Sequence, residues 1–245
     1  MYAFLTIDHG NTSTKASLWI DGKVVDSVTC RADMLLAISR LIGSTGREIV
    51  GILCSVRTID PETLDLLRRM CPRLTILDST TPLPITIGYS TPRTLGADRI
   101  AAAVGAYVLY GGKQLLVADL GTAATFDSVT ADGCYQGGNI APGAGMRLRA
   151  LHEFTSRLPL LDIDSSQRRM IGNDTHTALE AGVVYGLVAE LTYYATRLPQ
   201  PCVTVVTGGD AHLIAERCDF PIMVEDHLVQ KGLHYIIQHI QSLPD

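Results

Sequence analysis

Two stretches of the chain carry one signature, an apolar run ending in Asp-x-Gly: Asp8-His9-Gly10-Asn11-Thr12 and Asp119-Leu120-Gly121-Thr122-Ala123. Asp8 and Asp119, Gly10 and Gly121, Thr14 and Thr125, Asp21 and Asp132, and Gly22 and Gly133 are each 111 positions apart. This is an internal repeat. Two copies of strand, Asp-x-Gly turn, strand, Asp-Gly hairpin and strand are expected to build two similar half-domains, with a small-ligand cleft between them.

The pattern continues around each copy. Residues 2–8 and 14–20 are apolar with β-branched and aromatic members, and Asp21-Gly22 signals a type I′ hairpin before a strand over Lys23 to Thr29. Helical spacing follows over Ala32 to Ile42, a buried strand over Ile49 to Ser55, a helix over Pro61 to Met70 and a short strand over Leu74 to Asp78. Residues 79–97, with Pro82, Pro84 and Pro92, read as a connecting loop, and a small-residue helix from about Asp98 to Tyr110 ends at Gly111-Gly112. The second half restarts at Leu115, repeats the meander through Tyr135 and places Gly137 to Gly143 as a loop before a helix over Ala144 to Ser156. A long helix over Thr177 to Arg197, a buried strand over Val203 to Thr207, a short helix over Ala211 to Arg217 and a terminal helix over Gln230 to Leu243 follow. The mixture predicts an α/β fold with half-domains at residues 1–112 and 113–245.

Composition narrows the function classes. With 47% apolar and 18% charged residues in 245, a substantial core is expected. A net charge of −5 and the lack of a Lys/Arg run speak against nucleic acid as a partner. The opening MYAFLTI lacks a basic start, and the apolar stretch Ile100 to Tyr110 is far short of the roughly 20 residues a membrane span needs, so a cytoplasmic protein without membrane attachment is expected. The six cysteines contain no Cys-x-x-Cys pair and read as free thiols rather than a zinc site.

The turns carry the chemistry. A strand that delivers Asp-x-Gly-Asn-Thr into a turn surrounds a small space with backbone N–H groups, hydroxyls and an amide, a geometry that suits phosphate. Gly10 admits an anion close to the backbone, Asn11, Thr12, Ser13 and Thr14 donate, and Lys15 adds charge; an ordinary β-turn is the plainer alternative. Asp8 repels an anion, so its expected role is to hold magnesium on nucleotide phosphates, usually through water. Asp119 and Thr122 form the second jaw, with Asp119 a cation seat and Thr122 a phosphate donor. Gly208-Gly209, after a buried strand, resembles a platform under a flat ring such as adenine, though it is also a common strand-to-helix turn. Gly96-Ala97-Asp98-Arg99 joins a Pro-rich loop to a helix. Asp98 either caps that helix or accepts the proton of a substrate hydroxyl while Arg99 and the helix end attract an anionic group. His234 and His239, five apart, are off the spacing for shared metal ligation and read as helix-surface residues. Gly182 and Gly186 give the long helix a face suited to close packing, internal or against a second copy.

In these motifs the chain closely resembles the type III pantothenate kinases, in the superfamily of acetate and sugar kinases, heat-shock chaperones and actin. The resemblance rests on Asp8 to Thr12, on Gly96 to Arg99 preceded by Tyr89 and Pro92, on Asp119 to Ala123, on Gly137 to Gly143 and on the stretch ending in Thr175. It implies duplicated ribonuclease-H-like, actin-like half-domains, each a mixed sheet flanked by helices, with an interdomain nucleotide cleft. It further implies ATP-dependent phosphorylation of pantothenate to 4'-phosphopantothenate, the first step of coenzyme A biosynthesis. By the same resemblance Asp98 is the catalytic base; Tyr89, Gly96, Ala97, Asp98, Arg99 and Thr175 contact pantothenate. Asp8, His9, Gly10, Asn11, Thr12, Ser13, Thr14, Lys15 and Thr122 bind ATP with magnesium, and Asp119 binds a monovalent cation, potassium or ammonium. A homodimer is implied, with Thr175 reaching the neighbouring subunit's site. The alternatives are a kinase of the same fold acting on another small hydroxyl or carboxylate substrate, and a non-catalytic nucleotide-binding regulator.

Overall fold

The computed structural model describes residues 2–244. They fall into two compact units, one comprising the chain up to Leu109 together with the segment from Leu228 onward, the other Tyr110–His227.

The first unit contains β1 (Ala3–His9), β2 (Thr14–Ile20), β3 (Lys23–Cys30), α1 (Met34–Gly43), β4 (Ile49–Ser55), α2 (Pro61–Met70), β5 (Arg73–Ile76), a two-residue β6 (Thr86–Ile87), a 3-10 turn at Pro92–Thr94 and α3 (Ala97–Tyr110). The second contains β7 (Gln114–Leu120), β8 (Ala123–Val129), β9 (Cys134–Pro142), α4 (Ala144–Glu153), α5 (Thr175–Arg197), β10 (Cys202–Thr207), α6 (Ala211–Ala215) and β11 (Ile222–Val224). The last helix, α7 (Leu228–Ser242), returns to the first unit.

The repeat is a repeat of topology. The first sheet runs β3-β2-β1-β4-β5 and the second unit's strands run β9-β8-β7-β10-β11. In each, the first three strands form an antiparallel meander and the last two join in parallel. The constant spacing nevertheless hides a shift. In the first turn His9 pairs with Thr14 and encloses residues 10–13, whereas in the second Leu120 pairs with Ala124 and encloses only 121–123. The structural counterpart of Thr14 is therefore Ala124, not Thr125. The hairpins differ as well: Ile20 pairs with Lys23 around Asp21-Gly22, while the second closes from Thr130 to Cys134 around Asp132-Gly133.

Alternation sorts each sheet into two faces. Ala3, Leu5, Ile7, Ala16 and Leu18 pack with Ile38, Leu41, Leu53 and Leu67 to form the first core. Leu116, Ala118, Leu120, Ala124 and Phe126 pack with Leu148, Val184, Leu187, Leu191 and Ile214 to form the second. The opposite face of β1 carries Phe4, Thr6 and Asp8, and α7 lies along it.

Three sequence expectations need correction. A boundary at residue 112 assigns α7 to the second half, but α7 buries Leu228, Leu233, Ile236 and Ile237 in the first unit. Its Gly232 meets α3 so closely that a Cβ there would lie 1.8 Å from the carbonyl oxygen of Ala101. His234 is accordingly 3% exposed, not a surface residue. The run Gly137 to Pro142, read as loop, is part of β9, because each residue from Gly137 to Pro142 finds a partner on β8 despite the low strand propensity of glycine.

Candidate active site

In the first unit, parallel strands β1 and β4 deliver their C-terminal ends to the turn Gly10 to Ser13, where Gly10 N–H donates to the carbonyl of Ser13 at 3.0 Å. Asp8 stands opposite Lys15 on β2 and opposite Cys54 on β4, so the three side chains share one face. Asn11, Thr12 and Lys15 are exposed, and Ser13 is half-buried. His9 and Thr14 project to the other face, where His9 Nδ1 lies 2.7 Å from Thr14 Oγ1. Burial, and then the positive charge of Arg57, hold the His9 imidazole below its usual range.

Helix α3 brings the second carboxylate. Ile100 N–H donates to the Gly96 carbonyl, so Gly96 precedes the first helical residue, Ala97, and Asp98 lies inside the first turn rather than at the cap. Asp98 Oδ1 accepts from Arg99 N–H at 2.9 Å and folds over Gly96. Arg99 is buried. Asp8 and Asp98 both act on one buried neighbour: burial pushes the Cys54 thiol far up, and the negative charges of Asp8 and then Asp98 push it further. A thiol so disposed stays protonated and unreactive. Tyr89 is half-buried between β6 and the 3-10 turn.

In the second unit three turns meet at the C-terminal ends of parallel strands β7 and β10, the end of an α/β sheet at which ligands bind. Asp119 is flanked by Thr125 and Thr207. Gly143 N–H donates to the carbonyl of Thr122 at 3.1 Å, and Asp210 N–H to that of Leu120 at 3.0 Å. Gly208, at φ +99°, lies on this cluster, and a Cβ there would stand 2.6 Å from Asp119 Oδ1 and 2.5 Å from the carbonyl carbon of Leu120. Only glycine fits both the space and the backbone. Burial raises the Asp210 carboxyl above its usual range. Asp119, Thr122, Gly208 and Gly209, far apart in sequence, thus belong to one group of turns.

Thr175 opens α5. Asp174 caps the helix, accepting from Thr177 N–H at 2.9 Å while the Thr177 hydroxyl accepts from Asp174 N–H at 3.2 Å, which accounts for an aspartate directly before Thr175. Thr175 also lines a groove of about 1090 Å³ between α4 and α5, with Met146, Phe154 and Gly182. Sequence reading missed a buried set beneath Asp8: Thr6, Trp19 and Gln230. Gln230 lies more than 200 residues from its partners, and no local pattern announces it.

Two mixed sheets of one topology, each flanked by helices, with Asp-x-Gly turns at their C-terminal strand ends, define the actin-like ATPase and sugar-kinase fold. Two crystal structures share it over most of both chains: one named for the Baf family of transcriptional activators from Campylobacter jejuni (TM-score 0.63, 21% identity, 98% of this chain and 100% of that one) and one named as a 2-dehydro-3-deoxygalactonokinase from Sinorhizobium meliloti (TM-score 0.64, 11% identity, 98% and 100%). At such identities the likeness speaks for the fold. The sequence goes further, since the profile of the type III pantothenate kinases matches residues 4–197. The type III pantothenate kinase of Azobacteroides pseudotrichonymphae is 39% identical over 236 residues, covering 96% of each chain. The chain belongs to the type III pantothenate kinase family.

Proposed function

We propose that this chain phosphorylates pantothenate with ATP to give 4'-phosphopantothenate, the first step of coenzyme A biosynthesis, with Asp98 as the base. The observation that carries the residue assignment is the register that sets Asp8 opposite Cys54 on β4, a thiol that also feels the negative charge of Asp98; this supports a proton acceptor on the same side of the unit as a carboxylate suited to magnesium. Asp98 takes the proton of the substrate hydroxyl and aims its oxygen. Buried Arg99 and the N-terminus of α3 favour the substrate's carboxylate. Phosphoryl transfer is mainly positioning and charge stabilisation, so aim counts as much as proton removal. The Gly10 to Lys15 turn grips phosphate, with Thr122 a further donor and Gly208-Gly209 beneath the base.

The donor sets suit the ions. Among the described residues no group of three or more His, Cys, Asp or Glu forms a metal cage. Magnesium fits such a place, since it takes one or two carboxylates and completes its shell with water and phosphate. Asp8 would hold it, and it would neutralise phosphate charge. Asp119, packed against the backbone of Gly121 and Gly208, offers the oxygen-rich surroundings a monovalent cation such as potassium or ammonium needs. The α4/α5 groove, with Phe154 86% exposed beside it, supports pairing with a second copy that brings Thr175 to the neighbouring site.

Among the described residues no helix is long and apolar enough to cross a membrane. ADP release measured with and without pantothenate tests the reading: release that depends on the vitamin and yields a phosphorylated product carries it, and release indifferent to pantothenate sinks it.

A further inference from the structure

The face of β1 that ends in Asp8 is tied to the C-terminal helix by a chain of hydrogen bonds. Trp19 Nε1 donates to Thr6 Oγ1 at 2.9 Å, the Thr6 hydroxyl donates to Gln230 Oε1, and Gln230 Nε2 donates to the backbone carbonyl of Lys15 at 2.9 Å. Thr6, Trp19 and Gln230 are 0%, 6% and 2% exposed. The acceptor-only Lys15 carbonyl places the amide nitrogen there and the amide oxygen toward Thr6; the Thr6 oxygen accepts from the indole, and its single proton goes to that amide oxygen rather than to the more distant Ser17 carbonyl at 3.4 Å. Gln230 thereby bridges two points next to the phosphate turn, since Thr6 is two residues before Asp8 on the same face and Lys15 stands directly opposite Asp8.

Strands β1 and β2 already pair through their own backbones, so the meander does not need this amide to form. What the amide adds is a fixed position for the Lys15 backbone relative to β1, set by a helix whose Gly232 meets α3 at backbone distance. We infer that Gln230 is a positioning residue for the phosphate grip: by holding Thr6 and the Lys15 carbonyl together it sets where the Lys15 side chain and the Gly10 to Ser13 turn meet ATP. This rests on the kinase reading for the identity of the ligand. It goes beyond that reading in assigning the C-terminal helix a part in nucleotide binding through a buried residue.

The test is Gln230→Met, which keeps the volume and removes both hydrogen bonds. Loss of one or two such bonds is expected to raise KM for ATP by about 3- to 10-fold while KM for pantothenate stays within about twofold. Affinity for a non-hydrolysable ATP analogue, measured by calorimetry on folded protein, should fall by the same factor. A merely structural Gln230 predicts a lower active fraction with both KM values and the analogue affinity unchanged, and that result overturns the inference. If Gln230→Met does not fold, Gln230→Asn, one methylene too short to span Thr6 and Lys15 together, should show the same split. Unaltered ATP affinity in the folded Asn variant also overturns it. Because the calorimetric arm needs no pantothenate, failure of the wild type to phosphorylate the vitamin would sink the kinase reading without touching this measurement.

Discussion

His234 stacks on Trp19 with ring centroids 4.3 Å apart and planes 7° from parallel, and neither of its ring nitrogens has a hydrogen-bond partner among the described residues. Phe4 closes the pocket edge-on at 5.5 Å. Burial pulls the imidazole down to about 4 from its usual 6.5. The neutral ring is therefore the folded form.

The sign of the pH effect follows. Between pH 6.5 and about 4 the unfolded chain binds a proton at residue 234 that the folded chain refuses, so stability falls as pH falls through this window. The slope from this group approaches about 1.4 kcal/mol per pH unit. His234→Phe keeps the stacking and removes the titration, so its denaturant midpoint should decline less than that of the wild type between pH 7 and 5. His9, also shifted down, acts in the same direction in both proteins and cancels in the difference. Parallel declines would refute the assignment.

Asp98→Asn keeps the size of the side chain and its oxygen toward Arg99 N–H, so the first turn of α3 should survive. Removing a general base costs about 10²–10⁴-fold in kcat. ATP-analogue affinity should stay within a few-fold, because Asp98 belongs to the acceptor side. Near-normal turnover in folded protein would remove Asp98 from the chemistry.

Gly208→Ala places a methyl 2.6 Å from Asp119 Oδ1 on a backbone at φ +99°. The expected loss of stability exceeds about 1 kcal/mol, and the carboxylate must move. Activity should therefore become less dependent on potassium. Replacing potassium by sodium should depress the wild-type rate, and Asp119→Asn should erase that difference. A wild type indifferent to the exchange would end the role given to Asp119.

Much of this was legible where physics is local. The bounds of β2, β4 and α2 could be read because Asp21-Gly22 forces a turn, a fully apolar run needs two covered faces, and Pro61 suits a first helical turn; the structure adds an Asp60 cap, whose Oδ1 accepts from Thr63 N–H at 2.8 Å. The turns after β1 and β7 could be read for the same reason, since an apolar run broken by Asp-x-Gly ends a strand. Matching identities could not reveal that the second turn is one residue shorter, because register is set by pairing rather than by spacing. Strand β11, three residues long, has no periodicity to detect. The attachment of α7 and the role of Gln230 depend on contacts across the whole chain, and an amphipathic pattern says which face is buried but not against what.

The α4/α5 groove gives a prediction that separates assembly from folding. Gly182 lines the groove, and a Cβ at that position would meet no heavy atom within 4 Å. A side chain there is tolerated by the isolated chain, and in an exposed helix interior replacing glycine favours the helix. If a second copy packs on this face, Gly182→Gln fills the space it needs. Sedimentation at micromolar concentration should then give a dimer for the wild type and a monomer for the variant, with the melting temperature of the dilute variant no lower than that of the dilute wild type. Because Thr175 lines the same groove, the monomeric variant should also lose pantothenate affinity while retaining ATP-analogue binding. A variant that stays dimeric with full pantothenate affinity would place the subunit contact, and the role of Thr175, elsewhere.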